Sequence, residues 1–141
     1  MKKLLPLTIL LVGSLYADSI VGAYGVTLGK TYTGDKSKPM GPNSYSFKTR
    51  NTMIVDHAAI LDNHNIVQSI ISMKSTSDLK SCKKSMQTIY AHFVSKYGKS
   101  DQSVFIDSKN KRSVFVACTS NGKVLMETYR NSIPSKVPIP R

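Results

Sequence analysis

The sequence predicts an α+β domain in which one amphipathic helix packs on an antiparallel sheet and one disulfide joins the two. Three observations predict it. An apolar stripe at helical spacing covers about residues 77–97, strand-like runs lie on both sides of that segment, and the chain has only two cysteines. One element order therefore accounts for most of the chain: strands, a helix, then three more strands.

The helix is predicted from apolar residues that recur every three or four positions. The N-cap candidates are Ser75, Thr76, Ser77 and Asp78, and Gly98 is a typical helix-ending residue. The stripe consists of Leu79, Cys82, Met86, Ile89, Phe93 and Tyr97.

The strands are predicted as hairpins. Residues 53–61 and 66–73 are apolar runs on either side of four turn-forming residues, and 45–48 is a short strand candidate. After the helix, strands are expected over 103–106, 112–119 and 123–130, the last two joined by a turn at Asn121-Gly122. That dipeptide is typical of a two-residue hairpin turn.

The register of the last hairpin follows from this turn. Cys118 should pair with Leu125, and Val116 with Glu127. If Cys118 faces the helix, alternation places Glu127 on the same covered side. Glu127 is the only glutamate in the chain, and a buried carboxylate needs a partner or a place at the rim of the sheet.

The cysteines are predicted to form a disulfide. Cys82 and Cys118 are 36 residues apart, and they do not have the Cys-x-x-Cys spacing typical of redox pairs. Closing a loop of this length contributes about 4 kcal/mol in the chain-entropy model. A disulfide also indicates an oxidising compartment.

Residues 1–17 are predicted to be a bacterial signal peptide. Two lysines precede an apolar run over 4–15, and the small residue Ala17 follows. Cleavage is expected after Ala17, with a second small-residue site at Val21-Gly22-Ala23; a permanent N-terminal anchor is the alternative. We therefore expect a periplasmic or secreted protein with no stable membrane span after removal of the leader.

The rest of the chain is predicted to form one domain over residues 18–130. An exposed loop is expected over 33–44, which is rich in turn-forming residues and contains two prolines. An extended proline-rich tail is expected over 131–141.

The charge indicates an anionic partner. The chain carries +12; without the two leader lysines, 18 basic residues stand against 8 acidic ones, a net charge of +10. Such a charge attracts polyanions, although it can also serve only to keep a protein soluble. The candidate binding residues are Lys30, Lys36, Lys38, Lys48, Lys80 and Lys84.

No motif specifies a catalytic site, a metal or a cofactor. Gly29-Lys30-Thr31 resembles the end of a phosphate-binding loop but lacks the glycine five positions earlier. His64 lies in a predicted turn with Asp62, without a calcium-loop pattern. No serine lies in a nucleophile elbow.

The sequence thus favours a non-catalytic binding module of the bacterial cell envelope, whose basic surface binds an anionic envelope component or an acidic protein. Two alternatives stay open. One is a small periplasmic hydrolase whose site is assembled by the fold; the other is a periplasmic nucleic-acid binder, since tyrosines alternate with lysines over residues 24–48.

Overall fold

The structure, a computed structural model, describes residues 18–98, 100 and 104–135. Within these residues one helix packs on a seven-stranded antiparallel sheet, and a separate two-stranded sheet lies near the start. This is the predicted α+β class. The predicted signal peptide, residues 1–17, and the last part of the tail, residues 136–141, lie outside the described residues.

The described residues form nine strands and one helix, of which the helix and β6 are the longest elements. The elements are β1 (Gly22–Ala23), β2 (Val26–Thr27), β3 (Pro39–Gly41), β4 (Ser44–Lys48), β5 (Asp56–Leu61), β6 (Val67–Ser75), α1 (Leu79–Tyr97), β7 (Val104–Asp107), β8 (Arg112–Cys118) and β9 (Val124–Arg130).

Two segments cover one face of the sheet, whose strand order is β3-β4-β5-β6-β9-β8-β7. Helix α1 lies against β7, β8 and β9. The N-terminal segment, with the β1–β2 hairpin, lies beside the helix; it buries Ile20 and Leu28 and bonds to β6 through the amide of Gly29 and the carbonyl of Val67. The core lies between these segments and the sheet.

The helix has the predicted ends. The Asp78 carboxylate accepts a hydrogen bond from the Ser81 amide at 2.8 Å, which satisfies a free N–H of the first turn. Gly98 follows the last residue at φ 85°, a conformation that favours glycine. Cys82, Ile89 and Phe93 are buried, as the stripe predicts.

The register of the last hairpin is the predicted one, but its turn is different. Cys118 pairs with Leu125 and Val116 with Glu127. The turn is a four-residue loop over 120–123, in which the Gly122 amide bonds to the Thr119 carbonyl, so the two-residue turn was wrong. A four-residue loop with the same centre keeps the same strand pairs, so the predicted faces are unaffected.

The predicted loop over 33–44 contains a short strand. Residues 33–43 are exposed, yet Pro39–Gly41 pairs with β4 as the edge strand of the sheet. Proline is tolerated there because it is the first residue of an edge strand and need not donate to the ladder. In the tail, the Asn131 amide bonds to the Gln68 carbonyl.

The disulfide joins the first turn of the helix to the end of β8. Cys82 and Cys118 are bonded, with their Cα atoms 6.0 Å apart, and the Cys82 side chain is buried. The link therefore fixes the start of the helix on the sheet, as predicted. None of the helices in the described part of the chain has the length and apolar character to cross a membrane.

Candidate functional site

Four of the six predicted binding lysines lie away from the helix. Lys36 and Lys38 are exposed in the 33–43 segment, and Lys30 is exposed where the chain leaves β2. Lys48, at the end of β4, forms an exposed ion pair with Asp56 at 3.5 Å. Three of these four lysines thus lie near the β3–β4 edge, and the charge of Lys48 is partly neutralised.

The other two predicted lysines belong to a group on the helix, which packs near the β7 end of the sheet, away from the β3–β4 edge. Lys80 and Lys84 are one helical turn apart and exposed, and Lys83 is exposed beside them. The β8–β9 turn adds Lys123, whose Nζ donates a hydrogen bond to the Ser77 carbonyl at 2.8 Å. We call Lys80, Lys83, Lys84 and Lys123 the helix lysine patch. The sequence offered no local signal for Lys123, since only the fold brings its turn to the helix.

A cleft of about 470 Å³ opens between the helix and the β1–β2 hairpin. Strand β9 forms its floor and the segment around Met53 closes one side. The residues that line it are Gly22, Ala23, Tyr24, Met53, Ile54, Thr88, Ile89, His92, Phe93, Lys96, Glu127 and Tyr129. Sequence reasoning did not identify this cleft, because its walls come from four separate segments.

Glu127 in the floor of the cleft has the partner that its position requires. Its side chain is only 3% exposed, and its Oε1 accepts a hydrogen bond from the Tyr24 hydroxyl at 2.6 Å. Burial raises the pKa of Glu127, and the hydrogen-bonding hydroxyls of Tyr24 and Tyr129 act against that increase. The ionised carboxylate is thus costly here unless donors surround it.

Three tyrosines around Glu127 are held in their protonated form. Burial, and next the charge of Glu127, raise the pKa of Tyr24 and of Tyr129 far above the ordinary value. The same causes raise the pKa of Tyr97 to about 12. Their hydroxyls therefore act as hydrogen-bond donors and not as bases.

Behind Tyr24 lies His57, which is held by two hydroxyl groups. The Tyr24 ring stacks on the buried His57 at a centroid distance of 3.9 Å. His57 Nδ1 lies 2.6 Å from the Ser72 hydroxyl, and Nε2 lies 2.7 Å from the Thr49 hydroxyl. Burial lowers the pKa of His57, so the neutral ring, with one donor and one acceptor nitrogen, fits both hydroxyls.

The Ser72–His57 pair is the arrangement that a hydrolase would need, but it is not accessible. Ser72 has no exposed surface, and neither residue lines the cleft. A nucleophile must reach its substrate, and a catalytic histidine is usually oriented by a third, acidic group. Here the second nitrogen of His57 meets Thr49 instead. The pair supports the fold and not nucleophilic catalysis.

The Asp62 side chain stabilises the turn around His64 by binding backbone amides of that turn. Asp62 Oδ1 accepts hydrogen bonds from the amides of His64 and Ile66, at 2.8 and 3.0 Å. These bonds lower the pKa of Asp62. The described residues contain no group of three or more histidine, cysteine, aspartate or glutamate side chains placed to hold a metal.

The fold and these features define a disulfide-linked α+β domain with a basic helix surface and an aromatic cleft. Comparison of the chain with protein-family models, curated proteins and solved structures finds no match. Function must therefore be inferred from the chemistry of the surface and the cleft.

Proposed function

We propose that this chain is an exported, non-catalytic binding module of the bacterial cell envelope, periplasmic or secreted. Its basic surface binds an anionic envelope component or an acidic protein partner. The observation that carries the proposal is the helix lysine patch, in which four exposed lysines lie close together at the start of one helix.

The helix itself contributes no acid to the patch. The N-cap Asp78 precedes it, and hydrogen bonds from Ser81 and next the charge of Lys123 lower the pKa of that carboxyl. Residues 79–97 contain four lysines and no aspartate or glutamate. Lys80 is three and four residues from Lys83 and Lys84, spacings at which like charges destabilise a helix by about 0.2–0.5 kcal/mol per pair. They also lie near the positive end of the helix dipole, which favours anions. Helix stability therefore does not account for these lysines, whereas a bound polyanion would relieve their repulsion.

The test is salt elution from heparin and from immobilised lipopolysaccharide. A triple variant with Lys80→Gln, Lys83→Gln and Lys84→Gln removes most of the patch. The matched control replaces Lys30, Lys36 and Lys38 by glutamine, which lowers the net charge by the same amount at exposed positions. We expect the helix variant to elute at clearly lower salt than the control.

Two outcomes would contradict the proposal. Equal shifts for the two triple variants would mean that only net charge matters, with no binding surface on the helix. The second outcome is that the protein stays on DNA cellulose at a salt concentration that releases it from both heparin and lipopolysaccharide. That result would favour a nucleic-acid binder.

A further inference from the structure

We propose that the cleft between α1 and the β1–β2 hairpin binds a small zwitterion. The ligand's ammonium group pairs with Glu127 in the floor, and its anionic group meets Lys96 at the rim. This site shares no residue with the helix lysine patch and does not depend on the function proposed above.

The floor has the chemistry of an ammonium site. The carboxylate of Glu127 supplies the counter-charge, and the rings of Tyr24, Phe93 and Tyr129 line the same space. Aromatic faces attract cations through their negative π-surface, most strongly where water is excluded. A carboxylate within an aromatic cleft is therefore suited to an alkylammonium group.

Tyr24 is held in place at a cost to its backbone. It has φ 55°, in the two-residue turn Tyr24-Gly25 that joins β1 to β2. Non-glycine residues pay about 1–2 kcal/mol in this left-handed region, and such turns favour asparagine, aspartate or glycine. Interactions of the side chain offset this backbone cost, because the hydroxyl bonds to Glu127 and the ring stacks on His57. Such strain is typical of functional positions.

The rim carries the opposite charge. Thr88, His92 and Lys96 are four residues apart on the helix, so they form one ridge about 12 Å long beside the cleft. All three are exposed. A simple cation would meet Lys96 on entry, and a simple anion would end beside Glu127. A ligand that carries both charges matches the rim and the floor together.

The walls define the body of the ligand. Ala23, Met53, Ile54, Ile89 and Phe93 line the same cleft with apolar side chains. The volume is enough for a ligand with several carbon atoms between or beside its charges. A free α-amino acid with an apolar side chain and an aminoalkyl phosphate headgroup share this chemistry.

Calorimetric titration with two probe series tests the proposal and separates the two sources. One series is leucine, leucinamide and N-acetylleucine; the other is phosphoethanolamine, ethanolamine and ethyl phosphate. We expect leucine or phosphoethanolamine to bind, and loss of either charged group to weaken binding about 10-fold or more, the effect of one charge-assisted hydrogen bond. If neither zwitterion binds at about 10 mM, or if the singly charged analogues bind equally well, the proposal is wrong.

Variants locate the binding within the cleft. Glu127→Gln keeps the shape of the side chain and should weaken binding about 10-fold or more. Thr88→Trp should obstruct the entrance from an exposed helix position, which leaves the buried network intact. Lys109→Gln, in the exposed turn between β7 and β8, removes the same charge far from the cleft; it is the control and should bind normally. Circular dichroism confirms folding of each variant; unchanged affinity in folded Glu127→Gln and Thr88→Trp would overturn the assignment, whatever the heparin results.

Discussion

The Tyr24 hydroxyl donates a hydrogen bond to Glu127 Oε1 at 2.6 Å, across a sequence separation of 103 residues. This bond joins the tip of the N-terminal hairpin to β9 in the centre of the sheet. It also supplies the partner that a buried carboxylate requires. The stability of the domain should therefore depend on a hydroxyl near its N-terminus.

Replacement of Tyr24 by phenylalanine removes this donor and keeps the ring on His57. We expect the free energy of unfolding to fall by about 1–3 kcal/mol, because the buried carboxylate loses a hydrogen bond. Urea unfolding followed by circular dichroism measures it. Tyr45→Phe is the control, since the Tyr45 ring is half-buried and its hydroxyl makes no hydrogen bond within the described residues. Equal losses for the two variants would argue against the role of the Tyr24–Glu127 bond.

Glu127 should make the domain less stable as pH rises. Burial raises its pKa above the ordinary 4.5. Between pH 4.5 and the pKa of the folded state, the folded chain therefore keeps a proton that the unfolded chain has released. The free energy of unfolding therefore falls through that window and stays lower above it. The free energy of unfolding of the wild type, minus that of Glu127→Gln, should decrease from pH 4.5 upward. A difference that stays constant with pH would contradict the raised pKa.

His57 should have the opposite effect at overlapping pH. Burial lowers its pKa below the ordinary 6.5, so as pH falls through 6.5 the unfolded chain takes up a proton before the folded chain does. The contribution of His57 to the free energy of unfolding is therefore complete above pH 6.5, and it is lost as pH falls towards the pKa that His57 has in the folded state. His57→Gln should remove this loss, whereas His64→Gln, in an exposed turn, should retain it. Urea unfolding of each variant and of the wild type across this pH range distinguishes the contribution of His57 from that of Glu127.

The sequence predicted the parts of the fold that local patterns encode. The 3.6-residue stripe defined the helix, and its cap, Asp78, is one of the four candidates that residue type indicated. Alternation through Cys118 placed Glu127 on the covered face, because strand faces depend only on register. The predicted length of the turn was wrong. Hydrogen bonds to the side chains of Thr119 and Asn121 stabilise a four-residue loop, which packs against the start of the helix at Gly122.

The candidate site could not be predicted in the same way. Glu127 was recognised as a residue in need of a partner, but nothing near it in sequence indicates Tyr24. The cleft joins the first hairpin, the segment around Met53, the helix and β9. Lys123 likewise reaches the helix lysine patch only through the fold. Contacts between distant segments leave no periodicity in a single sequence.

Loss of the disulfide should destabilise the domain strongly. The Cys82–Cys118 link spans 36 residues and joins the helix to β8. In the chain-entropy model its loss costs about 4 kcal/mol, a large part of the stability of a small domain. The double variant Cys82→Ala and Cys118→Ala should therefore show a lower urea midpoint, by an amount similar to that for the reduced wild type. A midpoint that neither change moves would mean that packing alone holds the helix.

Gly122 should be intolerant of a side chain because the β8–β9 turn lies directly against the start of the helix. At φ 70° it has a left-handed backbone, and a Cβ there would meet the backbone of Leu79 and Asp78. Gly25, at φ 79°, has the same kind of backbone but open space around its missing Cβ.

Gly25→Ala therefore measures the backbone cost alone, about 1–2 kcal/mol. Gly122→Ala should cost clearly more, since the turn or the helix must also move, and that movement would disturb Lys123 and the neighbouring disulfide. The two urea midpoints provide the comparison. Equal losses would mean that the turn can withdraw from the helix without penalty, and the position of Lys123 beside Ser77 would then not be fixed by packing.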